Sequence, residues 1–134
     1  MSNSKVPENY RYTKDHEWVQ RDENDHDVVI IGITDYAQNA LGDIVHVEIP
    51  GVGERYEAGD ELGVIESAKS ASEVYAPLAG KIIEVNCSLD RHPEKVNESV
   101  YEEGWIVKMR MDDPDELDHL LSQDGYEHYL DEES

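Results

Sequence analysis

Phenylalanine is absent from these 134 residues, and cysteine occurs once. The single Cys87 excludes an internal disulfide and any CxxC redox or zinc motif. No apolar run approaches the ~20 residues a membrane helix needs. Basic residues are scarce: 11 Lys and Arg stand against 32 Asp and Glu, a net charge of −21. A surface this acidic repels phosphate, which argues against nucleic acid or membrane as a partner. It suits basic protein partners met in fast, salt-sensitive encounters. The N-terminal residues carry neither an apolar signal core nor an Arg-rich presequence, so a cytoplasmic location is expected. GxSxG, HExxH and P-loop motifs are missing, and the six His are scattered. Neither a catalytic constellation nor a metal site is expected.

What is present argues for a folded domain. Hydrophobic residues make up 38% of the chain in short organised runs, and eight Tyr and two Trp can build a core. The length suits one domain. Residues 1–9 are polar with Pro7 and read as a flexible arm, leaving 10–134 as the domain. Tyr10-Arg11-Tyr12 and His16-Glu17-Trp18-Val19 read as short strands. Val28-Val29-Ile30-Ile31-Gly32-Ile33 is β-branched and reads as a buried strand. Asp35 and Gln38 resemble a capping box for a helix of about two turns, stopped by Gly42. In residues 44–49, alternation predicts Val45, Val47 and Ile49 on one face. Trp105, Val107 and Met109 are expected on one face of the last strand. Asp113, Pro114 and Glu116 open C-terminal helices over about 113–131.

Residues 61–65 and 73–76 read as a hairpin joined by the polar run Glu66-Ser67-Ala68-Lys69-Ser70-Ala71-Ser72. Lys69 thus stands among small neighbours at a tip, where a modifying enzyme can reach it. A tip lysine on a rigid scaffold suits a swinging-arm attachment point. It is also the pattern of an ordinary solvated turn lysine. A weak repeat flanks the hairpin: Leu41-Gly42-Asp43-Ile44-Val45-His46-Val47 is similar to Ala79-Gly80-Lys81-Ile82-Ile83-Glu84-Val85. Two such halves would pack face to face as a small sandwich.

Longer motifs sharpen this picture. Tyr12-Thr13-Lys14-Asp15-His16-Glu17-Trp18-Val19, Gly32-Ile33-Thr34-Asp35-Tyr36-Ala37-Gln38 and Leu41-Gly42-Asp43-Ile44-Val45 resemble the H-protein family of the glycine cleavage system. So do Gly63-Val64-Ile65-Glu66-Ser67-Ala68-Lys69-Ser70-Ala71-Ser72-Glu73-Val74-Tyr75-Ala76-Pro77 and Gly104-Trp105-Ile106. The resemblance spans residues 10–110 in order. It implies a mainly β barrel-sandwich hybrid of the lipoyl/biotinyl type, with short peripheral and C-terminal helices. It implies a non-catalytic carrier with lipoic acid in amide linkage to Lys69. Glu17 and Glu73 match family positions near the cleft that receives the aminomethyl-loaded arm.

The implied partners are a pyridoxal-phosphate glycine decarboxylase (P-protein), an aminomethyltransferase (T-protein) and a dihydrolipoamide dehydrogenase (L-protein). A lipoate ligase or lipoyltransferase would load Lys69, and the carrier is expected to be a monomer. Ala68 and Ser70 replace the family's commoner Val and Ala, but both are small. A biotin carrier shares this fold type, yet biotin acceptors usually flank their lysine with Met. A lipoyl relay protein, donating lipoate to other enzymes, shares all these residues, and an unmodified interaction module also stays open.

Overall fold

The β-branched runs pair into two antiparallel sheets in the computed structural model, which describes residues 5–133. The larger sheet contains β1 (Arg11–Tyr12), β2 (Glu17–Arg21), β3 (Val28–Ile33), β5 (Arg55–Tyr56), β8 (Gly80–Val85) and β9 (Val107–Met111). Its strand order is β1-β2-β3-β9-β8-β5. The smaller sheet runs β4 (Ile44–Glu48), β6 (Glu61–Ser67) and β7 (Ala71–Tyr75). The sheets stay separate rather than closing into one barrel, and together they form the expected sandwich-like, mainly β fold. The two similar segments fall on opposite sheets, in β4 and β8.

One core joins the sheets. Val29, Ile31, Ile82 and Val107 enter it from the larger sheet, and Ile44, Val47 and Ile65 from the smaller. A second cluster packs the C-terminal helix α3 (Gln123–Glu133) against the outside of β1 and β2, through Tyr12, Trp18, Tyr126 and Leu130. Tyr12 and Tyr126 stack with centroids 4.7 Å apart. Tyrosine and tryptophan replace the missing phenylalanine here because each polar handle finds a partner. Tyr12 Oη donates to the Pro7 carbonyl at 2.6 Å, and Trp18 Nε1 donates to the Val100 carbonyl at 2.9 Å. The Trp18 ring lies against Gly32 on β3, where a Cβ would come within 2.5 Å of it. The glycine is a packing requirement at that point.

Several local expectations are corrected. A β-bulge between Ile44 and His46 breaks the alternation in β4, so Ile44 and Val47 point inward and Val45 is 56% exposed. Helix α1 (Asp35–Leu41) is capped by Thr34 rather than Asp35. Thr34 ends the extended chain of β3, and its hydroxyl accepts the Ala37 amide at 3.3 Å. Gln38 instead donates to Asp35 Oδ1 at 2.8 Å. Trp105 lies before β9, whose buried residues are Val107, Met109 and Met111. In the C-terminal region, Asp113 caps a 3-10 helix, Pro114–His119. The chain then runs extended, because Leu121 and Tyr12 exchange two backbone hydrogen bonds of 2.8 Å.

Of the expected arm 1–9, residues 1–4 lie outside the described residues. Residues 5–7 are held to the body: Tyr101 Oη donates to the Lys5 carbonyl, Gln123 Nε2 to the Val6 carbonyl and Tyr12 Oη to the Pro7 carbonyl. Among the described residues, no helix is long and apolar enough to cross a membrane.

Candidate cofactor-attachment site

Lys69 is exposed at the tip of the β6–β7 hairpin. Ser67 and Ala71 belong to the strands, so the tip is only Ala68-Lys69-Ser70. Ser67 braces it. Its amide donates to the Ser70 carbonyl at 2.7 Å, and its buried hydroxyl accepts the amides of Ser70 at 3.0 Å and Lys69 at 3.4 Å. A serine two residues before a turn position is a local signal for such a brace.

The tip also rests on the turn between α1 and β4. The Ala68 amide donates to the Asp43 carbonyl at 3.1 Å. Gly42 adopts φ +85°, and a Cβ there would lie 3.3 Å from Lys69 Cε. A side chain at Gly42 would therefore be strained and would crowd the lysine stem. Asn97, on the short helix α2 (Lys95–Glu98), bonds to the Gly42 carbonyl and the Ile44 amide. The groups its side chain bonds are remote along the chain, so no local pattern shows this role. Among the described residues, Lys69 Nζ has no ion-pair partner within 4.0 Å, so amidation would break no salt bridge.

Glu17 and Glu73 occupy contrasting settings. Glu17 is only 1% exposed. Thr13 Oγ1 donates to its Oε1 at 2.6 Å, and the Tyr75 amide donates to its Oε2 at 3.1 Å. Burial pushes its carboxyl up to about 7, against the opposing pull of those two donors; nearby Asp15 adds to the rise. The β1–β2 turn sets its place, with His16 in the left-handed region at φ 69°. His16 Nδ1 meets Tyr126 Oη at 2.8 Å, which supports this uncommon backbone.

Glu73 is exposed on β7, opposite Val64 of β6. It shares a strand face with Tyr75, whose phenol its charge pushes upward. Strand β7 thus connects the sites: Lys69 lies just before it, Glu73 within it, and the Tyr75 amide at its end touches Glu17. Glu73 follows Lys69 by four residues, so at ~3.3 Å per residue the chain separates them by at most about 13 Å. A cavity of about 330 Å³ opens beside Glu17, lined by Thr13, Asp15, Ala76 and Leu121 among others. The described residues hold no group of three His, Cys, Asp or Glu fit for a metal.

A family model described as "Glycine cleavage H-protein" matches residues 10–133. This chain belongs to the glycine cleavage H-protein family. Members are the lipoyl carriers of the glycine cleavage system. The glycine cleavage system H protein of Carboxydothermus hydrogenoformans is 49% identical, over 97% of this chain and 98% of that protein. That of Chromohalobacter salexigens is 52% identical over 92% and 93%. A crystal structure of a glycine cleavage system H protein from Mycobacterium marinum matches with a TM-score of 0.82 at 33% identity, covering 96% of this chain and 98% of that one. Membership in this family implies work alongside the system's P-, T- and L-proteins.

Proposed function

We propose that this chain carries lipoic acid in amide linkage to Lys69 and shuttles the aminomethyl group of glycine from the decarboxylase to the aminomethyltransferase. One observation carries the assignment: Lys69 stands exposed on a tip braced by Ser67 and Asp43, with no ion-pair partner among the described residues. The residues present fit the group, since the stem has a clear path over Gly42 and losing the charge strands no carboxylate. When bound, the lipoyl dithiolane supplies the sulfur that bears the aminomethyl unit and the redox change that the dehydrogenase reverses.

The chain's own residues bind and protect. Glu17 is a buried carboxylate with two donors and, among the described residues, no ion-pair partner within 4.0 Å. A cationic amine reaching Glu17 would stabilise the ionised form and release a proton where the group had been neutral. Glu73, exposed on the path from Lys69, would guide that amine along β7. The carrier itself performs no catalysis and acts as a monomer in the cytoplasm, loaded by a lipoate ligase or lipoyltransferase.

Intact mass of the native protein, beside Lys69→Ala, is the test. A lipoyl mass increment present in the first and missing in the second is expected. An unmodified lysine from cells competent for lipoylation would defeat the assignment.

A further inference from the structure

The Asn97 side chain grips both neighbours of one residue. Its Nδ2 donates to the Gly42 carbonyl at 2.8 Å, and its Oδ1 accepts the Ile44 amide at 2.9 Å. Between them stands Asp43, whose carbonyl holds the Ala68 amide at the hairpin tip. Nδ2 also donates to Gln38 Oε1 at 2.8 Å, and Gln38 Nε2 donates to Asp35 Oδ1 at 2.8 Å. The clasp is therefore tied to helix α1 rather than left to swing. One side chain thus sets two of the surfaces around Lys69, beside the Ser67 brace: the carbonyl that anchors its neighbour and the glycine beneath its stem. Both hydrophobic clusters are built from other residues.

We propose that Asn97 is a positioning residue that presents Lys69 to the enzyme that acylates it. This rests on the reading of Lys69 as the attachment point. In the acylation, the neutral Nζ attacks the acyl carbon of an activated lipoate, an acyl-adenylate. The C–N amide bond forms, the acyl–oxygen bond to phosphate breaks, AMP leaves with the electron pair, and the amine gives its surplus proton to water. The amine must meet the acyl carbon at the end of a partner's channel. A tip whose tilt is free spends much of its time misaligned, which lowers the rate without weakening docking.

Asn97→Asp keeps the shape and the acceptor for Ile44 but loses both donations, and Asn97→Ala loses all three bonds. Leu130→Ala, a cavity in the second cluster, is the destabilised control. Each folded variant is incubated with lipoate, ATP and a lipoate–protein ligase, and lipoyl mass is followed over time. We expect kcat to fall about tenfold in both Asn97 variants with KM within about twofold of wild type, and Leu130→Ala to react at the wild-type rate. Exchange of the Ala68 amide should quicken in the Asn97 variants alone. If Asn97→Ala does not fold, the near-isosteric Asn97→Asp carries the test. Unchanged kcat in folded Asn97→Asp, or an equal loss in Leu130→Ala, overturns the inference. If wild type itself gains no lipoyl mass, the reading of Lys69 fails instead.

Discussion

The amide of Tyr75 donates to Oε2 of Glu17 at 3.1 Å, tying a buried carboxylate to the end of the strand that begins beside Lys69. The proposed attachment point, just before β7, and the proposed amine acceptor, on β2, are therefore linked through β7. The scaffold can stay fixed while only the arm moves.

Removing the Glu17 charge should open the protected state. Glu17→Gln keeps the shape but offers no charge to a cationic amine. Aminomethyl-loaded carrier should then release formaldehyde about ten times faster than wild type, a loss of one charge-assisted hydrogen bond. Adding Glu73→Gln should increase the leak further. A rate equal to wild type in the double variant would remove both carboxylates from the mechanism.

Glu17 also makes stability depend on pH in a direction opposite to most carboxylates. Its folded value, about 7, lies above its ordinary 4.5. The protein therefore holds this proton more tightly when folded. The resulting stability is fully present below about pH 4.5 and is lost as pH rises through about 7. Its size is on the order of 3 kcal/mol. Urea unfolding of wild type and Glu17→Gln at pH 5 and pH 8 isolates it. Wild type should lose ground against the variant between those pH values, and a constant difference would refute the burial effect.

Tyr126 is the hinge between the C-terminal helix and the site. Its hydroxyl meets Thr34 Oγ1 at 2.7 Å and His16 Nδ1 at 2.8 Å, so it touches both the α1 cap and the turn that sets Glu17. Tyr126→Phe should cost about 1–3 kcal/mol, because Thr34 is fully buried and loses a partner. The urea midpoint should fall with an unchanged slope. No change in midpoint would mean that Thr34 and His16 satisfy each other without it.

Gly32→Ala tests the close approach of Trp18. The added methyl would enter the indole, and a shift of either strand or ring should cost about 1–3 kcal/mol. A thermal midpoint equal to wild type would show that the ring can move freely.

The net charge of −21 should make encounter with partners salt-sensitive. The kcat/KM of dihydrolipoamide dehydrogenase with the lipoylated chain should fall about tenfold or more from low to high ionic strength, with free lipoamide much less affected. A flat profile would leave the acidity with no part in encounter.

Much of this protein is legible along its chain. The run Val28 to Ile33 favours a buried strand, Gly42 favours a helix stop, and small neighbours favour an accessible tip at Lys69. These are local statements, set by β-branching, by glycine's freedom at positive φ and by side-chain size. The long motifs through residues 10–110 extend them to a family. Contacts between distant segments were not legible in the same way. The bulge that exposes Val45 depends on pairing with β6. Thr34 became the cap because β3 ends there. The extended break between the C-terminal helices exists because Leu121 pairs with Tyr12. The burial that lifts Glu17 and the clasp of Asn97 on Gly42 and Ile44 require segments far apart in sequence to meet. Sequence alone singled out the residue proposed to offer the amine. The tertiary structure decided how that amine is held and what awaits its cargo, because orientation and burial belong to packed neighbours rather than to any one residue.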